Sequence, residues 1–303
     1  MLVEPACLPC ILDDLGAATR SLVDDPEVGH RVMAEALRFL AQDYGLRKVP
    51  SHYITGVHRI LKRITGVATP FADLRRRANE LGLGICERLR PPADAEQRFR
   101  YLCRWAIAGN HLDFRTVGTG YGMTIDQMHG LLEEQVRQGL QVDRTDAILA
   151  AARAAGRVLY VLDNVGEIAF DRLLVRELGR YTQVVAAVRG GPITSDAVME
   201  DARQVGLDQE VPLVVAGPDT LGISLEEMSG ELRQELARVD LVITKGQANF
   251  YVMDEYRRQA RQPVACLLST KCDQAAARFG LRGKANVATL LSAPGLAEPR
   301  ARQ

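Results

Sequence analysis

The sequence predicts an α/β protein: an all-helical N-terminal domain followed by a domain built on a mainly parallel sheet covered on both faces. Three observations carry this. Apolar residues recur at three- and four-residue spacing through the first half. In the second half, short runs rich in β-formers recur at VLYVLD (158–163), VVAAVR (184–189), PLVVAG (212–217), DLVITK (240–245) and PVACLLS (263–269), with helical patterns between them. These runs are apolar throughout instead of alternating, which marks strands of a parallel sheet with both faces buried.

The helical part reads in order. ACLPCILDDLGAATRSLV, PEVGHRVMAEALRFLAQDYG and FADLRRRANELGLGICERLR carry one apolar face each. Pro26 suits a first helical turn, and Pro91–Pro92 stops the helix before it. AEQRFRYLCRWAIAGNHLDF predicts a further helix ending near Gly109, and IDQMHGLLEEQVRQGL predicts another after the loop VGTGYG. GTGYG (118–122) does not follow a strand, so it reads as a turn and not as a dinucleotide loop. The change of rhythm places a boundary near 140–156, giving a helical domain over 1–150 and a Rossmann-like domain over 151–303. The tail GLAEPRARQ is expected to fray.

Composition narrows the function. The 303 residues hold 38 basic and 38 acidic side chains, so no excess charge points to nucleic acid or to a membrane surface. No apolar window is long enough to span a bilayer, and MLVEPACLPC lacks the charged and apolar regions of a signal peptide. The six cysteines are therefore expected as reduced thiols or metal ligands in the cytoplasm.

The chemistry collects at the strand ends, which parallel topology brings to one edge. The first predicted strand ends in Asp163-Asn164, with Gly166 and Glu167 following. The second ends in Arg189 and leads to Thr194, Ser195, Asp196 and Asp201; the fourth gives Lys245, Gly246 and Asn249; the fifth gives Ser269, Lys271 and Cys272. Asp163 or Asn164 suits the N-cap of the next helix, but both cannot cap it equally well. Asp196 has the same choice for the helix AVMEDARQVG. Taken together, Asp163, Asn164 and Asp196 form an all-oxygen set suited to magnesium or manganese, and no histidine at these tips argues for zinc. Lys245 beside Gly246 suggests an anion site at a helix start, with Asn249 as a donor.

CLPC, AGNHLDF (108–114), DNVGE after an apolar strand, RGGPITSD with Glu200–Asp201, KGQANF and STKC occur in this order, and together they resemble the damage-control phosphatases, the family of domain of unknown function 89. The similarity runs from about residue 5 to 290. It implies an N-terminal helical domain paired with a three-layer α/β/α domain, and metal-dependent hydrolysis of small phosphorylated metabolites. Carried over singly, it implies metal ligation by Asp163, Asn164 and Asp196, phosphate binding by Lys245, and a pocket lined also by Asn110 and Asp113. The cofactor implied is a divalent ion: manganese, magnesium, cobalt or nickel. Two positions depart from the pattern: Ala248 replaces a glycine of KGQGN, and Tyr251 stands where an acid is common.

The expected chemistry is metal-assisted phosphomonoester hydrolysis, with positioning and charge stabilisation as the main terms. A water nucleophile is favoured over a phosphoenzyme at Asp163, because the second acid of a DxD pair is missing. Asp113, Glu167 or Asp201 are candidates for the base, although Glu167 equally suits a first helical turn. Cys7 and Cys10 form a CxxC that reads as a metal half-site or a redox pair, and Cys272 is the candidate third thiol of a second, softer metal site. Cys86 and Cys103 belong to helix cores, and of the five histidines only His111 stands near a motif. Two other readings compete: a non-catalytic metal or thiol-binding module centred on the CxxC, and a nucleotide-binding or methyl-transferring Rossmann enzyme. The second predicts a glycine-rich first βα turn, where DNVGE stands instead.

Overall fold

The computed structural model describes residues 1–113, 125–258 and 260–291. It opens with three helices, α1 (Cys7–Leu22), α2 (Pro26–Asp43) and α3 (Pro50–Thr65), which share a core of their own around Ile11, Leu15, Val32, Leu40, Tyr53 and Leu61. Asp25 caps α2 by accepting from the Glu27 amide at 2.9 Å, with Pro26 at the first helical position as expected. Helix α3 is an addition to the predicted set. Its buried stripe Tyr53, Val57, Leu61 has helical spacing, but Thr55 and Gly56 dilute the pattern.

The chain continues through α4 (Ala72–Cys86), α5 (Ala95–Ala108), a 3-10 turn at Gly109–Leu112, α6 (Ile125–Gln138), β1 (Val142–Asp143), α7 (Thr145–Ala154), β2 (Arg157–Val161), α8 (Glu167–Leu178), β3 (Gln183–Val188) and α9 (Met199–Gln204). It ends with β4 (Leu213–Val215), α10 (Gly230–Arg238), β5 (Leu241–Lys245), α11 (Gly246–Tyr256), β6 (Val264–Ser269), α12 (Asp273–Ala277) and β7 (Asn286–Leu291). All five predicted strands form. GTGYG and the tail lie outside the described residues. No helix among the described residues is long and apolar enough to cross a membrane.

The seven strands form one sheet in the order β1-β7-β6-β5-β2-β3-β4. Every pairing is parallel except that of β6 with β7, where Cys266 faces Thr289. Strand β7 (NVATLL) was not predicted. It ends partly buried, and β1 is only two residues long, so neither carries the continuous apolar signal of the central strands.

Successive side chains of a strand point to opposite faces, and β2 shows the consequence. Val158 and Tyr160 enter a core shared with Trp105, Phe170 and Leu174, while Leu159 and Val161 enter a second core with Phe250, Val252 and Met253. Helices α4 to α9 thus cover one face and α10 to α12 the other, giving three layers. The first of these cores also takes in Ile85, Leu102 and Leu132. The boundary predicted near 140–156 is therefore not a boundary between cores: α4 to α7 belong to the sheet, and only α1 to α3 pack apart from it. Removing a buried aromatic such as Phe170 from this shared core costs about 3–5 kcal/mol.

Strand β2 is central. The chain runs outward from it to β3 and β4, then returns to its other side at β5. That reversal opens a crevice at the carboxyl ends of β2 and β5, where an open α/β sheet places its ligand site.

Candidate active site

Leaving β2, the chain presents Asp163 and Asn164. The segment after β3 folds back over this tip: the Ala197 amide donates to Asp163 O at 2.7 Å and the Val165 amide to Ser195 O at 2.8 Å. Asn164 and Asp196 become partners of an isolated antiparallel bridge. Helix α8 begins after Gly166 at φ +76°, a left-handed conformation that favours glycine, and no side chain caps it. Neither Asp163 nor Asn164 acts as the cap. Asp196 does not cap α9 either: the N-cap position is Val198, whose amide donates to Asp201 in the first turn at 2.9 Å.

The freed side chains meet under cover. Asp163, Asn164 and Asp196 are all buried. Asn164 Nδ2 donates to Asp163 Oδ2 at 2.7 Å and to Glu167 Oε2 at 3.3 Å. Asn110, from the 3-10 turn, donates to the same two oxygens at 3.3 and 2.7 Å. Two amides therefore bridge two carboxylates, and Ser195 Oγ fixes the amide of Asn164 by donating to its Oδ1 at 2.7 Å. Asp196 Oδ2 accepts from Arg189 Nε at 3.0 Å and from the Gly222 amide at 2.7 Å.

Several of the expected site residues have partners within the protein. Lys245 was expected to face a phosphate. Its fully buried ammonium donates to Ala106 O at 2.8 Å, to Asp171 Oδ1 at 2.8 Å and to Glu167 Oε1, so its three N–H groups are committed inside the protein. Burial opposes its charge, but Asp171 and Glu167 outweigh burial and raise its pKa. Asn249, expected as a phosphate donor, instead binds Leu162 O and Lys245 O through Nδ2 and accepts from Arg189 and the Ile223 amide. It ties β2 to β5. Asp201 pairs with Arg75 and accepts from Asn79, so as a base candidate it is replaced by a structural tie between α4 and α9. Asp113 stays at the edge of the site, with its Oδ2 at 2.6 Å from Lys271 Nζ. Gly246 is in place: at φ +76° its Cα lies against the Asp163 carboxylate, where any β-carbon would collide.

The donor set fits a hard divalent ion. Four buried carboxylates, Asp163, Glu167, Asp171 and Asp196, face two buried cations, Lys245 and Arg189. Burial, then the charges of Glu167 and Asp196, push the Asp163 pKa well above the carboxylate range. Negative charge that Arg189 and Lys271 offset only in part is what a divalent cation neutralises. Asp163, Asp196 and the Asn164 carbonyl supply oxygen only, leaving further positions for water or substrate. Among the described residues no group of three or more His, Cys, Asp or Glu side chains is arranged to hold a metal. The set here mixes two carboxylates with an amide. The same observation bears on the thiols: Cys7, Cys10 and Cys272 are free, and they are not gathered as a three-ligand metal site. Cys86 and Cys103 are buried in the helix cores, as expected.

A cleft beside Asn110 is lined also by His111, Ser269, Thr270, Lys271 and Lys284. Burial, helped by Lys284 and Lys271, lowers the His111 pKa to about 4. A roomier cavity of about 520 Å³ lies elsewhere, between α3 and the 220–227 loop, and contains none of the predicted site residues. No role is predicted from the sequence for Arg189, Ser195, Asp171 or Asn79. Arg189 and Ser195 stood inside the quoted motif RGGPITSD. Asn79, whose Oδ1 accepts from the Gly166 amide at 2.7 Å, lies on α4 and carried no local signal.

The sequence profile of the damage-control phosphatase ARMT1-like domain matches residues 3–287. The chain is 31% identical over 284 residues to a damage-control phosphatase of Archaeoglobus fulgidus, covering 93% of this chain and 96% of that one. It is also 31% identical over 285 residues to an uncharacterized protein of Methanocaldococcus jannaschii, covering 92% of each. Its fold superposes on the crystal structure of a DUF89 family protein of Pyrococcus horikoshii with a TM-score of 0.85 at 24% identity, over 95% of this chain and 98% of that one. The chain belongs to the damage-control phosphatase ARMT1-like domain family.

Proposed function

We propose that this protein hydrolyses a small phosphorylated metabolite, a phosphomonoester, with a divalent ion held by Asp163, Asn164 and Asp196. The observation that carries the reading is the burial of Asp163 with Glu167 and Asp196 around it, an acidic centre with too few cations of its own. The relatives named damage-control phosphatases support the reaction class. When bound, the ion would supply positive charge against the phosphoryl oxygens. The chain's residues do the positioning. Arg189 and the Gly222 amide fix one oxygen of Asp196 and so orient the other. Asn110 and Asn164 hold Asp163 and Glu167 in one geometry, and Lys245 balances Glu167 and Asp171 from behind. Of the three base candidates, Asp113 alone is paired at the mouth of the site, so it is assigned to take the proton of the attacking water.

The test is hydrolysis of p-nitrophenyl phosphate after chelation, then with magnesium, manganese, cobalt or nickel restored. Activity should return with metal, disappear in Asp163→Ala and survive in the double variant Cys7→Ser/Cys10→Ser. Metal-independent turnover, or full activity in Asp163→Ala, would overturn the reading. Sugar phosphates, phosphopantetheine-like compounds and nucleotides, assayed with the preferred metal, would then rank substrates.

A further inference from the structure

The cavity of about 520 Å³ between α3 and the 220–227 loop has the size of a small-molecule site and shares no lining residue with the acidic centre. Its walls come from the three-helix unit and from the sheet unit alike. Phe39 reaches it from α2 because Gly56 leaves the surface of α3 flat: a β-carbon there would strike the Phe39 ring. Ile60 comes from α3, Leu221, Ile223 and Leu225 from the loop, and Val252 from α11. The rim is charged, and its charges are mostly paired. Lys48 pairs with Glu226, Arg59 with Asp219 and Glu227 at 3.0 Å each, and Glu255 with Arg258 at 3.5 Å. Arg47 is the exception. It lines the cavity at φ +50°, is exposed, and its guanidinium has no hydrogen bond or ion pair among the described residues.

We propose that this cavity binds a small amphipathic carboxylate, its apolar body between α3 and the loop and its single negative head on Arg47. A planar carboxylate matches the guanidinium fork. One unpaired cation beside the carboxylates of Glu226, Glu227 and Glu255 suits a monoanion, because a phosphate dianion would meet the same three acids with twice the charge. The loop that walls the cavity also holds Asp196, so an occupant acts on the acidic centre; this second effect rests on the metal reading above. Three successive amides fix the loop: Leu221 donates to Thr55 Oγ1 on α3 at 3.0 Å, Gly222 to Asp196 Oδ2 at 2.7 Å and Ile223 to Asn249 Oδ1 at 2.9 Å. Leu221 and Ile223 line the cavity while the amide between them holds Asp196. A ligand packed on these two side chains favours the loop geometry in which Gly222 orients Asp196, and so strengthens the hold on a divalent ion.

Decanoate is the probe, titrated calorimetrically into the whole chain, chelated and then magnesium-loaded, with decanol and decylammonium as the neutral and cationic controls. Decanol should bind about three- to five-fold more weakly than decanoate, the worth of an exposed ion pair, and decylammonium more weakly still. Arg47→Gln should cost decanoate the same factor and leave decanol unchanged. Ile60→Trp, and Leu225→Trp from the opposite wall, should abolish binding with a melting temperature near wild type. Magnesium should bind about five-fold tighter with decanoate present, and decanoate should tighten by the same factor with magnesium. No decanoate binding by the wild type, equal binding of all three probes, or binding that survives both tryptophan variants would remove the site. Decanoate that acts only by splitting a dimer of this chain in sedimentation would remove it too, since a second copy would then be the occupant. Binding of decanoate and magnesium without effect on each other would remove the link through Gly222. Decanoate binding that depends on Arg47, in a protein that binds no magnesium, would keep the site and remove the metal reading.

Discussion

The Cα of Gly246 lies against the carboxylate of Asp163, leaving no room for a β-carbon between them. Strand β5 thus hands over to α11 at the point where β2 presents its acid, and the close approach depends on a glycine at φ +76°. Gly246→Ala must either rotate Asp163 away or shift the start of α11. An Asp163 displaced by about 1 Å is expected to lose roughly 100-fold in kcat/KM. The strained backbone should add about 1 kcal/mol or more of destabilisation. Steady-state kinetics and thermal melts of the variant check both.

Asp163→Asn should separate function from stability. The carboxylate is buried among like charges, so in chelated protein its replacement by a neutral isostere should raise the melting temperature by about 2 °C or more. The same variant should lose the added stability that magnesium or manganese gives the wild type. Melts with chelator and with metal, compared between the two proteins, measure this. A variant that melts lower than wild type in chelator contradicts the argument.

Lys245→Met should leave Glu167 and Asp171 without their shared cation. Breaking such a buried pair costs about 3–5 kcal/mol, chiefly through the carboxylates left behind. The double variant Lys245→Met/Glu167→Gln should recover part of the loss. Urea unfolding of the wild type and the two variants reads the difference. A Lys245→Met protein as stable as wild type would show that the ammonium is not the counter-ion described here.

His111 should remain neutral in the folded protein down to about pH 4, its pKa lowered from 6.5 by burial and then by Lys284 and Lys271. The unfolded chain takes up this proton first. Stability is therefore untouched above the unfolded pKa and declines as pH falls from there toward the folded value, by about 2–3 kcal/mol in all. His111→Gln should make the acid side of the stability curve shallower by that amount. Titration of the ring resonances and unfolding at stepped pH are the measurements.

Much of this was legible in the chain. The five central strands are apolar throughout because both faces are buried, and that continuous signal survives without neighbours. Asp163 and Asn164 follow β2 directly, so the strand alone places them at its carboxyl end, whereas Asp196 stands eight residues past β3 and reaches them only because that segment folds back over the tip. Three-dimensional packing decided the rest. Lys245 and Lys271 both end a strand run in the sequence, yet one is drawn between Glu167 and Asp171 on α8 while the other is held at the surface by Asp113 and Gln247. Asn249 and Asp201 carry the polar groups of site residues, but Arg189 and Arg75, remote in sequence, take them for structure. A sequence fixes which groups leave each strand end. Which of them keeps its hydrogen-bonding capacity for a ligand depends on partners from other helices, and those partners have no fixed spacing along the chain.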